Sequence, residues 1–469
     1  MPFTNYQEVL SYGAMVHFVT NTRYMPPWRA QNNYGQFDHN LRLSDLEIQQ
    51  IKDWKAAGFP AGELPAQPDW KSYPALETAS GPWDMELSLP DSFEQFDIYF
   101  DQYQVFRLDP GLEEDRWVEA IEFVPGDSTL LRYAAVAINR RSKSSDLDTW
   151  DPRSGYSSFG WFGFLTEEDA WFSWSLGEQA ETQNTRRLLP AGSELLLYLH
   201  YGPSFVKKFD RSRLRLRFAS TDNHSPVLNS VPLINPLNLQ NEGWSLPPNQ
   251  KTILHGRHRL QWPIRLFALE PRALLYCQSW EVFARLPNGR SIPILKIPEY
   301  DFHWRRNYRL AEPLDLPAGT ELLAFATYDN QASNPNNPLD PPQGVEWGFR
   351  LFQEQFAVYF DFSFMKSELE NGLLLGPSNQ ISNFRKLSWQ APADDDYSLS
   401  LFKSNQPDSP VWMTNLSAKA SEWQELNLNL TEFQPGVYYL CLSGQMKETN
   451  QYDVFVYWPE DFIQKSFNE

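Results

Sequence analysis

The order of apolar and polar residues divides the chain into a helical start and a long β-patterned remainder. NYQEVLSYGAMVHFVTN near the amino end brings Val9, Tyr12, Ala14, Val16 and Val19 roughly onto one helical face. The MPPW string at 25–28 ends that helix, because proline lacks a backbone donor and its ring clashes with the preceding turn. A second helix is predicted in SDLEIQQIKDWKAAG, where Ser44 and Glu47 have the spacing of a capping box and Gly58 supplies a left-handed cap. GELPAQPDWKSYPALETASG (62–81) reads as a linker. From about 82 to 365 the texture changes to short alternating or apolar runs bounded by Pro, Gly, Asn or Asp, such as RWVEAIEFVPG, LLRYAAVAINR, SELLLYLHYGP and ELLAFATYDN. Each reads as a strand. The Pro- and Asn-rich stretch Asn229–Pro248 marks a junction between two β-lobes. About five more strands after residue 376 predict a further small sandwich.

The expected fold is therefore mainly β: a small α-helical unit (1–75), two tandem β-sandwich lobes (76–228 and 229–368) and a C-terminal β-sandwich (369–469). Composition agrees, with 36 Pro and 15% aromatic residues among 469, as expected of β domains with many turns. Forty Lys+Arg against 59 Asp+Glu give a net charge of −19. A duplex or an anionic membrane repels such a surface, so nucleic acid is not an expected partner. No apolar run approaches the ~20 residues of a membrane span, and no secretory signal is visible at the start. Cys277 and Cys441 form neither a CxxC pair nor a Cys-rich zinc site, and a disulfide between them is not expected because they fall in different predicted domains. GxSxG, P-loop, GxGxxG and HExxH motifs are absent from the sequence, which leaves hydrolase, nucleotide-binding and zincin classes without support.

Several strings carry a specific likeness: RYMPPWRAQNNYGQF followed by RLSDLEIQQIKDWKAAGFPAG, then RWVEAIEFVPG, LPAGSELLLYLHYGPS, IPEYDFHWRRNYRLAEPLDLPAGTEL and TYDNQASNPNNP. In this order they resemble bacterial proteins that join a c-type cytochrome domain to a copper type II ascorbate-dependent monooxygenase module. That module is itself similar to peptidylglycine α-hydroxylating monooxygenase. The likeness spans roughly residues 5–365. It implies jelly-roll-like lobes, a cytochrome-c-like origin for the helical unit, and a periplasmic or cell-surface location.

It also implies where ligands would stand. Covalent haem needs CxxCH, which this chain lacks, so Met25, at the distal axial position, is a vestigial haem residue and no haem is expected. The first copper site of the family uses a His-His pair and a third His. Arg132 and Tyr133 occupy the pair positions, and His200 persists in LHYG. The second site uses HxH and a later Met; Arg272, Leu274 and Gln355 fall there. Copper needs imidazole or thioether donors, and a guanidinium offers no lone pair. The resemblance thus implies a chain keeping one of six copper ligands, with the arginines filling the metal volumes beside carboxylates, Glu270 and Glu354 being candidates.

Other constellations have blander readings. His255 and His258 straddle the two faces of a strand and read as surface polar residues. His17 and His39 lie in the helical unit without a third ligand, and His303 reads as packing. The acidic run ADDD (393–396) lacks a calcium-loop pattern and reads as a solvated loop. The aromatic stretch 160–174, with Trp161, Phe162, Phe164, Trp171, Phe172 and Trp174, is either core packing between the lobes or a docking surface for a protein partner.

The resulting expectation is a pseudoenzyme. It would be a non-catalytic, monooxygenase-like subunit with no cofactor, serving a structural or interaction role with protein partners in a larger exported assembly. The alternatives are a copper-dependent monooxygenase with a site rebuilt around His200, or an inter-lobe ligand-binding protein.

Overall fold

A computed structural model describes residues 5–63, 82–95, 97–139, 148–149, 151, 153–157, 169–176, 178, 185–220, 223, 225–348, 350, 352–365, 379–380, 383–391, 393–406, 408–420, 422–445 and 450–458. Within them the chain is mainly β, with two α-helices at its amino end.

Helix α1 (Tyr6–Asn21) starts at Asn5, whose side chain accepts from the Glu8 N–H, and helix α2 (Asp45–Ala56) starts at Ser44 with the reciprocal Ser44–Glu47 capping box in place. Gly58 follows α2 with a positive φ, the left-handed cap expected of it. The apolar face of α1 is narrower than its periodicity predicts. Val9, Val16 and Val19 are half-buried while Tyr12 and Ala14 are exposed. Gly13 sits against the Phe59 ring, where a Cβ would lie 2.8 Å from it.

The first lobe runs through β1 (Met85–Ser88), β2 (Phe93–Gln95), β3 (Gln102–Leu108), β4 (Arg116–Val124), β5 (Leu131–Asn139), β6 (Tyr156–Ser157), β7 (Asp169–Ser175), β8 (Arg187–Leu189), β9 (Glu194–Tyr201), β10 (Lys208–Asp210) and β11 (Arg213–Phe218). One sheet has the order β1-β11-β4-β8 and the other β6-β3-β9-β5-β7, with β2 and β10 pairing at one end. The five-stranded sheet explains why LLRYAAVAI and ELLLYLHY are nearly continuous apolar runs. Leu195, Leu197, Leu199, Ala134, Val136 and Ile138 fill the lobe's own core. Their alternate neighbours Leu196, Tyr198, Tyr133, Ala135 and Ala137 belong to a second core shared with the next lobe. A sheet covered on both faces has no need of polar alternation.

The second lobe contains β12 (Asn229–Ile234), β13 (Lys251–Arg259), β14 (Ile264–Arg272), β15 (Cys277–Arg285), β16 (Ser291–Ile297), β17 (Tyr308–Leu316), β18 (Glu321–Asp329) and β19 (Ala357–Phe364), in sheets β12-β19-β14-β17 and β13-β18-β15-β16. The C-terminal unit has β20 (Asn379–Gln380), β21 (Phe384–Gln390), β22 (Asp395–Lys403), β23 (Trp412–Ala418), β24 (Trp423–Asn429), β25 (Gly436–Gly444) and β26 (Asn450–Tyr457), in sheets β20-β26-β25-β22-β23 and β21-β24. The same two-faced logic holds here. Tyr438, Leu440, Leu442 and Phe455 fill this unit's core, while Val437, Tyr439, Val454 and Val456 pack on the second lobe. Trp262 lies 5.2 Å from Tyr439 and 4.5 Å from Tyr452, ring centre to ring centre.

The helical unit docks on the second lobe through the segment after α1. Trp28 meets Tyr308 at 5.5 Å, edge to face, the Gln31 N–H donates to the Lys296 carbonyl at 2.7 Å, and the Tyr34 hydroxyl reaches Glu281 at 2.6 Å. Gly35 passes so close that a Cβ would stand 2.0 Å from the Ile294 carbonyl oxygen. Cys277 and Cys441 are both free thiols. No helix among the described residues is long and apolar enough to cross a membrane.

Candidate functional site

Of the positions singled out in the sequence, Arg132, Tyr133, His200 and Arg272 converge on the joint between the two lobes, where the five-stranded sheet of the first faces β14 and β19 of the second, whereas Leu274 and Gln355 make their contacts within the second lobe. Two polar groupings occupy the joint.

The first is built on Asp101, at the entrance to β3. The pairing of β5 with β9 slips between Leu131 and Tyr133, so Arg132 is an extra residue in the ladder. A bulge of this kind re-aims its side chain. Arg132 Nη1 donates to Asp101 Oδ2 at 3.0 Å, and His200 Nε2 meets the same oxygen at 2.8 Å. His303 Nε2 lies 3.5 Å from it. On its other side, His303 Nδ1 is 3.0 Å from Asp301, which Arg29 also holds at 3.0 Å. Tyr103 stacks on the His200 ring at 4.5 Å. Burial pushes His200 down to about 4, against the attraction of Asp101, so at neutral pH it is an uncharged ring whose Nε2–H points at the carboxylate. Burial alone would raise Asp101. The His200 hydrogen bond and the charges facing it outweigh that and hold the carboxyl below its ordinary range. Arg132 is then the standing countercharge.

The second grouping spans the lobes. Arg272 Nε and Nη2 donate to the two oxygens of Glu270 at 2.9 and 3.2 Å, with both side chains buried. The guanidinium lies 4.1 Å from the Tyr359 ring centre. The Tyr133 hydroxyl, from the first lobe, donates to Glu270 Oε1 at 2.9 Å. Burial, then the Glu270 charge, push this phenol well above its ordinary range, so it remains a donor. Of the two carboxylates named as candidate partners, Glu270 takes Arg272. Glu354 instead accepts the backbone N–H groups of Leu274, Tyr276 and Gln355. Burial lifts its carboxyl to about 8 against those bonds. Leu274 is buried in the core, and Gln355 is buried with its Nε2 lacking a hydrogen-bond partner.

The segment after β16 wedges between these groupings. Arg305 is buried with its guanidinium 4.2 Å from the Phe302 ring and 5.7 Å from that of Tyr133. Its carbonyl accepts from the Ser175 hydroxyl at 3.1 Å. Arg306 donates to Glu178 at 3.0 Å and to the Leu176 carbonyl at 2.8 Å, both in the first lobe. Asp361 is held by Asn307 at 2.8 Å and approached by Arg187 of the first lobe at 3.6 Å.

The donor set does not suit copper. Arg132 and Arg272 carry no lone pair, Tyr133 is a committed hydrogen-bond donor, and Leu274 has no heteroatom in its side chain. His200 is the one imidazole left at these positions, and its Nε2 is turned to Asp101. Among the described residues no group of three or more His, Cys, Asp or Glu is arranged to hold a metal ion. Met25 is half-buried in the turn after α1.

Two sequence expectations need correction. For Trp171, Phe172 and Trp174 packing holds and docking does not: the β5–β7 ladder slips between Val136 and Ala137, leaving Trp171 as an extra residue, and all three rings lie in the first lobe's core. Trp161, Phe162 and Phe164 lie outside the described residues. His258 is buried rather than superficial, because the C-terminal unit covers it, and its Nε2 meets the Tyr439 hydroxyl at 2.6 Å. His255, on the other face of β13, stacks on Phe325 at 4.2 Å. Residues that sequence reasoning missed are Asp101, Glu178, Arg305, Arg306 and Asp361. The paired arginines in FHWRRN, set in an aromatic run, were the one local signal of a buried cationic wedge.

No family model matches the chain, and no curated protein does. Among solved structures, the apo β-glucuronidase from Ruminococcus gnavus aligns over 45% of this chain and 36% of its own, with 8% identity and a TM-score of 0.14. The same enzyme with uronic isofagomine aligns over 45% and 35%, with 8% identity and a TM-score of 0.15. The chain thus spans about a third of the length of these structures, and a likeness this slight carries no argument about fold or function.

Proposed function

We propose that this chain is a non-catalytic, monooxygenase-like protein that serves as a structural or interaction subunit of a larger exported assembly. The observation that carries the reading is the pair of guanidinium–carboxylate contacts, Arg132–Asp101 and Arg272–Glu270, at the positions where the resemblance puts metal ligands. A cation fixed to the chain takes the electrostatic place of a metal ion, yet it neither binds dioxygen nor changes oxidation state. The Tyr133–Glu270 bond ties the two lobes together at the point where a substrate cleft would have to open. Sequence resemblance supplies the family and the exported location.

The alternative, a copper centre rebuilt around His200, would require its Nε2 to leave Asp101 and His303 to turn from the same carboxylate oxygen towards a shared ion. One measurement separates the two. The purified full chain is loaded with Cu(II), dialysed and assayed for metal by mass spectrometry beside His200→Ala. The proposed function expects no copper retained above the variant. Near-stoichiometric copper that disappears in His200→Ala would overturn it.

A further inference from the structure

The first lobe ends in two neighbouring segments that expose six large apolar side chains: Ile98, Tyr99 and Phe100 on one, Phe205, Val206 and Phe209 on the other. Tyr99, Phe100 and Phe205 keep 75%, 71% and 88% of their surface in solvent. The two segments are locked side by side. The Ser204 N–H donates to the Asp97 carbonyl at 3.0 Å, Gln95 Nε2 donates to the Gly202 carbonyl at 2.6 Å, and β2 pairs with β10 so that Phe209 lies opposite Glu94. Asp97 Oδ1 accepts the N–H groups of Tyr99 and Phe100 at 2.8 and 2.9 Å, fixing the turn that carries both rings. These rings are displayed on an ordered turn.

The size of the patch argues for its occupant. At roughly 200 Å² for a fully exposed aromatic side chain, the six residues present on the order of 700 Å² of apolar surface. A monomer's largest patch is typically about 300–600 Å², whereas each partner of a stable protein complex gives up about 800 Å². The rim charges are already balanced, Lys207 to Glu94 at 2.7 Å and Lys208 to Asp127 at 2.9 Å. A chain of net charge −19, with Lys207 and Lys208 so engaged, is repelled overall by an anionic bilayer. A two-fold axis through the patch, by contrast, presents the rim to its own image. Lys207 of each copy can then meet Glu94 of the other, exchanging a contact within one chain for the same contact between two.

We propose that Ile98–Phe100 and Phe205–Phe209 form an isologous dimer interface between two copies of this chain. This inference does not rest on the proposed function, since a catalyst could pair in the same way, and copper analysis tests that function separately.

Sedimentation velocity of the full chain, from nanomolar to tens of micromolar, tests the interface. The expected result is a concentration-dependent shift from one chain to two. Phe205→Asp or Tyr99→Asp is expected to weaken pairing roughly tenfold or more, as for a central aromatic anchor, with an unchanged circular dichroism spectrum. Lys207→Glu is expected to weaken it as well, and Glu94→Lys added to Lys207→Glu to recover it. In the unmodified chain, amide exchange at 97–100 and 203–209 is expected to slow as concentration rises. A monomer throughout, or a dimer indifferent to all these changes, would overturn the proposal. So would Phe205-dependent co-sedimentation of a monomer with phosphatidylcholine vesicles, which would assign the patch to a lipid surface.

Discussion

Replacing Arg272 with leucine removes the cation from the Arg272–Glu270–Tyr133 group and leaves the Glu270 carboxylate in the lobe joint with one remaining donor side chain, the Tyr133 hydroxyl. Both members of the ion pair are buried, so water does not enter to replace the lost partner. Deleting one half of a buried pair costs about 3–5 kcal/mol, most of it the desolvation of the orphaned charge. For a unit of this size that corresponds to a fall of about 10 °C in Tm. The physical cause predicts an unusual order of stabilities. Adding Glu270→Leu to Arg272→Leu deletes a further polar group and yet restores most of the loss, because no charge is left stranded. The double variant still leaves the Tyr133 hydroxyl without its acceptor, at about 1–3 kcal/mol, so adding Tyr133→Phe brings a further recovery. Differential scanning calorimetry of the four proteins reads this order directly. An Arg272→Leu variant within about 1 kcal/mol of the parent, or a double variant worse than the single, would refute the reasoning.

Acid offers a second probe. Burial lowers His258 to about 3, so the folded chain keeps it neutral while the unfolded chain takes up a proton near pH 6.5. Stability contributed by this ring is present above pH 6.5 and lost as the pH falls towards 3, reaching about 2 kcal/mol by pH 5. His258→Gln, which keeps a polar group facing the Tyr439 hydroxyl, is expected to flatten that fall. Urea unfolding at pH 7 and pH 5 checks it, and an unchanged pH dependence in the variant would count against the assignment. At the other end of the chain, Gly35→Ala would drive a methyl group into the Ile294 carbonyl, where a Cβ stands at 2.0 Å. The helical unit is expected to loosen from the second lobe, with faster cleavage in limited proteolysis and the β-lobes left intact. Cleavage at the parent's rate would show that the backbone yields there instead.

How far the sequence could be read depended on the distance over which each cause acts. The Ser44–Glu47 cap and the Gly58 terminator are settled within one helical turn, and both stand as predicted. The runs LLRYAAVAI and ELLLYLHY read correctly as strands, but nothing local says what covers their second face. That depends on a lobe more than a hundred residues later. The same gap hid Asp101 from Arg132 and His200, which it meets across 31 and 99 residues. It also made His258 look superficial, since its cover, Tyr439, lies 181 residues on. Trp171, Phe172 and Trp174 failed as docking residues for a related reason. Composition counts Trp171, Phe172 and Trp174 but does not tell which way a strand turns them. Glu270 and Glu354 stood as equal candidates in the sequence, and the fold chose Glu270, which shares a strand face with Arg272 two residues on.

A strand such as β5, with no wet side, answers to two neighbours at once. A change at Tyr133 is felt at Glu270, on the far side of the seam, which then keeps only Arg272 as a donor side chain. Grafting either half of this molecule onto a foreign relative would therefore expose a face shaped for a missing twin.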